Sequence, residues 1–158
     1  LEDKVHIIQN AIELAIMMGV PEPKVAILSA VETVNVKIRS TLDAAALCKM
    51  ADRGQIKGGL LDGPLAFDNA ISLVAAKTKG IRSAVAGQAD ILVVPDLESG
   101  NMVAKQLEYL ADALMAGVVL GARVPIVLTS RADTAETRTA SCAIAQLMAH
   151  KRRQGVRL

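Results

Sequence analysis

The sequence predicts an α/β fold, a mostly parallel sheet with helices on both faces. Two observations carry that prediction. Short apolar runs of strand length alternate along the chain with longer segments of helical periodicity. The 158 residues are also 52% hydrophobic but only 1% aromatic. A core so poor in rings must be assembled from Ala, Val, Ile, Leu and Met, in the small-residue style of helices packed on a parallel sheet. The length suffices for one such domain with a core of its own.

The elements follow in order. Residues 4–18 place Val5, Ile8, Ile12, Ala15 and Ile16 on one face and His6, Gln9, Asn10, Glu13 and Met17 on another, an amphipathic helix ended by Gly19 and Pro21. Lys24–Ala30 reads as a buried strand. Ser40 with Asp43 three positions on suggests a capping box for a helix that stops near Gly54. Ile56–Asp62 is a second strand, closed by Gly63-Pro64, and a helix over Phe67–Lys77 follows. Ala89–Pro95 is the clearest buried strand. A helix from about Gly100 to Met115 then presents Val103, Leu107, Leu110, Ala111 and Leu114 at helical spacing. Pro125–Ser130 reads as a further strand. The last helix opens at Asp133 with Glu136 in capping position, and its apolar stripe is Ala140, Ile144, Leu147 and Met148.

Composition excludes several classes. No apolar run reaches the roughly 18 residues of a membrane-spanning helix, and the charged first 20 residues do not form a signal peptide. A cytoplasmic location is expected. Cys48 and Cys142 are too few for a disulfide scaffold or a zinc cluster. Net charge is +2, with Lys151, Arg152, Arg153 and Arg157 gathered at the end, a pattern that suits a solvated helix terminus. One Tyr, one Phe and no Trp leave no platforms for stacking bases, so no nucleic-acid partner is expected. His6 and His150 stand at opposite ends without partners at metal or triad spacing. Glycine-rich dinucleotide and P-loop fingerprints are absent.

In parallel sheets, ligands bind beyond the carboxyl ends of the strands. Three stretches fall there. In Pro125–Glu136, a hydroxyl pair (Thr129, Ser130) and Arg131 precede a helix start. Free N–H groups, a positive dipole end and a guanidinium fork make an anion site. The same residues also suit a plain strand end and a surface ion pair. In Asp62-Gly63-Pro64-Leu65-Ala66-Phe67-Asp68, two carboxylates flank a tight turn, and capping or turn stabilisation is the competing use. In Pro95–Asn101, Asp96 precedes Gly100, which permits close backbone approach, while Asn101 and Lys105 share one helix face.

Four segments, KVAILSAVETVN, GGLLDGPLAFDNAIS, ADILVVPDLESGNMVAK and PIVLTSRADTAE, cover most of the chain in that order. Together they resemble the phosphate acetyl/butyryl transferase family, most closely its butyryltransferase-like branch, including the phosphate acyltransferase parts of fusions with an enoyl-CoA hydratase-type domain. The resemblance implies an open α/β fold related to isocitrate and isopropylmalate dehydrogenases, two lobes around a cleft, and a homodimer. Residues 1–158 then correspond to the C-terminal region of such an enzyme. A second lobe would span about 20–124 and a returning strand and helix about 125–158, with the N-terminal lobe outside this sequence.

The implied reaction is acyl-CoA plus phosphate giving acyl phosphate plus coenzyme A, which is a substrate, with no cofactor and no metal. Ser130 and Arg131 would be catalytic. Asp62, Gly63, Pro64, Asp96, Gly100, Asn101, Lys105 and Thr129 would bind substrate. Two departures stand out. Thr137 occupies the place where the acetyltransferase branch has an aspartate proposed as the base, and Ala104 the place of a tyrosine before the lysine matching Lys105. The base is left open: phosphate attacks unaided, or Asp62, Asp133 or Glu136 assists, although capping is the other use of the last two. Rival readings are an Mg²⁺- and NAD(P)-dependent 2-hydroxy acid dehydrogenase of the same fold group, with Asp62, Asp68 and Asp96 on the metal, and a non-catalytic dimerisation lobe. An isolated lobe is expected to be inactive.

Overall fold

The computed structural model describes residues 1–155; Arg157 of the basic tail lies outside the described residues. The chain forms two compact units, Leu1–Leu97 and the remainder from Glu98. The first holds α1 (Glu2–Met17), β1 (Lys24–Leu28), α2 (Arg39–Asp52), β2 (Leu60–Leu65), α3 (Phe67–Ile71), α4 (Leu73–Thr78) and β3 (Ile91–Val93). The strands make a parallel sheet in the order β2-β1-β3, with Val25 beside both Leu61 and Ile91.

Alternation along β1 sorts the core into two layers. Val25 and Ile27 face Ile8, Ile12, Ala44 and Leu47 of α1 and α2. Ala26 and Leu28 face Leu65, Ala70, Ala76, Val85 and Ala86 on the other side. Helices therefore cover both faces of a parallel sheet, as the apolar runs predict. Gln9 fastens α1 to the entry of β2: its amide oxygen accepts from the Lys57 N–H at 3.0 Å and its amide nitrogen donates to the Lys57 carbonyl at 3.2 Å.

Several elements differ from expectation. β2 begins at Leu60 and runs through Gly63 and Pro64, which were expected to close it. As an edge strand it tolerates a proline, which has no N–H to give on its free side. A Cβ at Gly63 would stand 2.7 Å from the Ile27 carbonyl oxygen, so the close approach of β1 requires glycine there. The helix expected over Phe67–Lys77 is two short ones, divided at Ser72, whose hydroxyl accepts the Ala75 N–H at 3.3 Å. At α2 the expected capping box does not form. The N-cap is Ile38, with no side-chain bond, while Ser40 turns to Ser29 and Asp43 turns to Lys4.

The second unit holds α5 (Leu97–Leu110, which starts on the last residue of the first unit), β4 (Val118–Val119), β5 (Ile126–Val127) and α6 (Ala135–Arg153). The run Pro125–Ser130 does not form a buried parallel strand. Only Ile126 and Val127 are paired, antiparallel to β4, and both are exposed. The stripe on α5 is uncovered as well: Leu110 is 84% and Leu114, just beyond it, 61% exposed. α6 packs against β4 and β5, but Ile126 and Val127 remain exposed. In α6, Met148 is buried, and Ser141 accepts the Gly117 N–H at 2.9 Å while donating to the Thr137 carbonyl. His150, Lys151, Arg152 and Arg153 fill its last turn, the favourable end of the dipole for cations.

Candidate functional site

In the first unit the carboxyl ends of β1 and β2 are tied together, the Ser29 N–H donating to the Leu65 carbonyl at 2.8 Å. Polar side chains gather just beyond. The Ser29 and Ser40 hydroxyls are 2.8 Å apart, and buried Thr41 accepts from the Asn35 N–H and donates within the same loop. Glu32 accepts from the buried Asn69 amide and from Lys79, each at 3.3 Å, and Lys79 also reaches Asp68 at 3.3 Å. The Asn69 N–H, and more weakly Lys79, hold the Asp68 carboxyl below its ordinary range. Sequence reading gave Ser40 only a capping role and did not single out Ser29, Glu32, Asn69 or Lys79. Ser29 carries a signal, since it directly follows the apolar run of β1, whereas the pairing of Lys79 with Glu32 joins residues far apart in the chain.

Of the residues singled out in the sequence, Asp62 lies inside β2 beside Ala26 rather than in a loop after it. Its carboxylate oxygen accepts the Gly63 N–H at 2.8 Å. It lines a cleft of about 360 Å³ with Ala51, Asp52 and the loop Arg82–Val85. Pro64 is buried within the same strand. Pro95 and Asp96 join β3 to α5, at the carboxyl edge as expected. Asp68 is engaged by Lys79, and among the described residues no group of three or more His, Cys, Asp or Glu is placed to hold a metal ion.

In the second unit, α5 begins three residues before Gly100, where the helix was expected to start, and ends at Leu110, short of the expected Met115. Lys105 lies one turn beyond Asn101. Its ammonium is 2.6 Å from Glu108 and 5.5 Å from the centre of the Tyr109 ring. The hydrogen bond that Lys105 donates to Glu108 raises the Lys105 pKa, with lesser help from the charges of Tyr109 and Asp133.

Thr129, Ser130 and Arg131 are exposed in the loop between β5 and α6. The Ser130 N–H donates to the Asp133 carboxylate at 2.6 Å, and the Asp133 N–H returns to the Ser130 carbonyl at 3.2 Å. The Ser130 hydroxyl accepts from Ala132 at 3.4 Å, which leaves its proton to be donated. With Asp133 so engaged, capping of α6 falls to Thr134, whose hydroxyl accepts the Thr137 N–H at 3.2 Å; the expected Asp133–Glu136 capping box is not formed. Arg131 thus stands three positions before the cap, not on the first turn. Thr137 is buried, and its hydroxyl is bonded to that of Thr134 at 3.2 Å. A cleft of about 480 Å³ runs between Glu108, Tyr109 and Asp112 on one side and Ala132, Thr134, Glu136 and Thr137 on the other.

The exposed Ser130 hydroxyl and Arg131 guanidinium are groups of the kind that bind a phosphoryl group. Comparison with known proteins points the same way. The family model described as phosphate acetyl/butaryl transferase matches residues 1–146. The chain is 68% identical over 153 residues to a phosphate acetyltransferase of Rhizobium meliloti, covering 97% of this chain and 48% of that protein. It is 50% identical over 149 residues to a phosphate butyryltransferase of Clostridium acetobutylicum, covering 94% and 50%. The crystal structure of a branched-chain phosphotransacylase from Enterococcus faecalis V583 matches with a TM-score of 0.85 at 36% identity, over 92% of this chain and 52% of that one. The chain spans about half the length of the curated relatives it matches.

Proposed function

This chain belongs to the phosphate acetyl/butyryl transferase family, and from that premise we propose that it forms about half of an enzyme exchanging coenzyme A and phosphate on a short-chain acyl group. The observation that carries the reading is the family match over residues 1–146, which includes Ser130, Arg131, Asp62 in β2 and the loop at Asp96. In this reading the segment is the second lobe with a returning C-terminal strand and helix. The fold is of the isocitrate and isopropylmalate dehydrogenase type, and the enzyme is a cytoplasmic homodimer. The uncovered stripe of α5 and the exposed β5 support a further layer of protein over this half.

The chemistry asks for two anions held together. A phosphate oxygen attacks the thioester carbonyl carbon, negative charge builds on the carbonyl oxygen, and the carbon–sulfur bond breaks. The proton released by phosphate goes to the coenzyme A sulfur. Positioning and charge stabilisation supply the rate. Arg131 suits a two-point grip on phosphate, which a lysine would not give. Ser130 offers its hydroxyl proton to the same group. A thiol with a pKa near 8.5 leaves without a strong acid, so direct transfer without an acyl-enzyme follows. Asp62, Gly63, Pro64, Asp96, Gly100, Asn101, Lys105 and Thr129 complete the substrate surface, and coenzyme A enters as substrate with no further cofactor. Asp133, engaged at Ser130, acts as a brace in this scheme rather than as a base.

The full-length enzyme, assayed for thioester consumption with acetyl-, propionyl- and butyryl-CoA in the presence and absence of phosphate, tests the proposal. Phosphate-dependent formation of acyl phosphate supports it, and the preferred chain length comes from the same data. NAD(P) reduction with a 2-hydroxy acid and Mg²⁺, in place of thioester loss, would assign the dehydrogenase chemistry instead.

A further inference from the structure

Lys105, Glu108 and Tyr109 recur at helical spacing on one face of α5, and Asp112 follows two residues beyond its end. Glu108, Tyr109 and Asp112 wall the 480 Å³ cleft whose other side is the start of α6, the stretch just after Ser130-Arg131. Lys105 spans one edge of this face. Its side chain is 39% exposed, and Glu108, with 17% exposed, meets the ammonium at 2.6 Å. The Tyr109 ring backs the same nitrogen at 5.5 Å. Besides Glu108, the charged residues that line the cleft are Asp112 and Glu136, both acidic, and Asp133 acts on Lys105 through its charge. An ammonium already held by a carboxylate has little attraction left for a second anion.

We propose that Glu108 is a built-in competitor for the phosphoryl oxygens that Lys105 takes in the complete enzyme, and so sets the affinity for an anionic substrate. The inference rests on the reading of Lys105 as a substrate contact. Carboxylate and phosphoryl oxygens are the same class of acceptor for an ammonium. The bound state therefore exchanges the Glu108 contact for one to the ligand, or shares the ammonium between them. Glutamine at 108 keeps the length of the side chain and an oxygen for Lys105, but removes one negative charge from the cleft. Those phosphoryl oxygens belong either to inorganic phosphate or to coenzyme A.

The test is steady-state kinetics of the full-length enzyme carrying E108Q, K105Q or both, with E108A as a second variant that also removes the charge. Phosphate is varied at saturating acyl-CoA, and acyl-CoA at saturating phosphate. E108Q is expected to lower KM for one substrate by about threefold or more, the size of one unit charge acting at short range through water. The substrate affected identifies the source of the phosphoryl oxygens. K105Q is expected to raise the same KM, and the double variant to match K105Q. An unchanged or raised KM in both E108Q and E108A overturns the inference. If K105Q nonetheless raises KM, the Lys105 assignment stands and only the competition fails. If K105Q leaves both KM values unchanged, the Lys105 assignment falls and the inference falls with it.

Discussion

Ser130 and Asp133 hold each other from both ends of one turn. The Ser130 N–H donates to the Asp133 carboxylate at 2.6 Å, and the Asp133 N–H returns to the Ser130 carbonyl at 3.2 Å. Arg131 projects from the middle of this turn. A carboxylate that sequence pattern assigns to capping α6 instead braces the loop that carries the guanidinium.

Asp133→Ala removes one side of that brace. Because Thr134 caps α6 independently, the loss of global stability is expected to stay at about 1 kcal/mol, the ordinary net value of one hydrogen bond. Activity of the full-length enzyme is expected to fall about tenfold, since a misplacement of roughly 1 Å in a positioning group costs one to two orders of magnitude in rate. Thermal unfolding and kcat/KM for phosphate, measured side by side, check both halves. A large loss of stability would make Asp133 a folding residue instead.

Gly63→Ala is expected to destabilise the first unit by about 1–3 kcal/mol, the usual cost of forcing atoms into a packed interior. The added methyl would meet the Ile27 carbonyl oxygen at 2.7 Å and the Ile27 Cβ at 2.8 Å. Urea unfolding of the variant measures this. A neutral result would show that β1 and β2 separate easily and that packing does not require glycine at 63.

Asp43 is held below the ordinary carboxylate range, first by its hydrogen bond from Lys4 at 2.8 Å and also by the charges of Lys4 and Arg39, against some desolvation. A lowered folded-state pKa means that the unfolded chain takes up the proton first on acidification. The stabilisation is complete above the unfolded value of about 3.9 and is lost as pH falls through the lower folded value. Asp43→Asn is expected to cost about 1 kcal/mol at pH 7 and to flatten the fall in stability below pH 4. Denaturant midpoints across that range for both proteins provide the check.

Burial, and then the charges of Asp62 and Asp52, push the Cys48 thiol up to about 12. Cys142 is exposed. Alkylation at neutral pH is therefore expected to label Cys142 readily and Cys48 only after unfolding, because the thiolate is the reactive form. Mass spectrometry of the labelled peptides distinguishes them, and early labelling at Cys48 would contradict the packing of α2 on β2.

The first unit was largely legible in the sequence because its signals are local. The continuous apolar run of β1 and the 3.6-residue period of α1 each report a buried face. The end of β2 was not legible, since Gly63-Pro64 reads as a turn until the strand is known to lie at an edge with β1 pressed against it. The break at Ser72 depends on one hydroxyl capping a new helix. In the second unit the apolar pattern of Pro125–Ser130 and α5 overstated burial, because periodicity records which face prefers cover, not whether cover is present. For the candidate site, the sequence placed Lys105 on its helix, but it put Ser130 at a strand end and Arg131 at a helix start, where the structure has an exposed loop. It gave no sign that Asp133 and Glu108 were their immediate partners, which depends on the turn and on side-chain direction.

The central claim is that Arg131 grips phosphate during acyl transfer, and the most direct measurement is the turnover of the full-length enzyme with Arg131→Ala, followed as phosphate-dependent acyl phosphate formation. A loss of about two or more orders of magnitude is expected, on the scale of removing one charge-stabilising group from a transition state, with weakened use of phosphate and an unchanged fold. Near-normal turnover and phosphate dependence in that variant would contradict it.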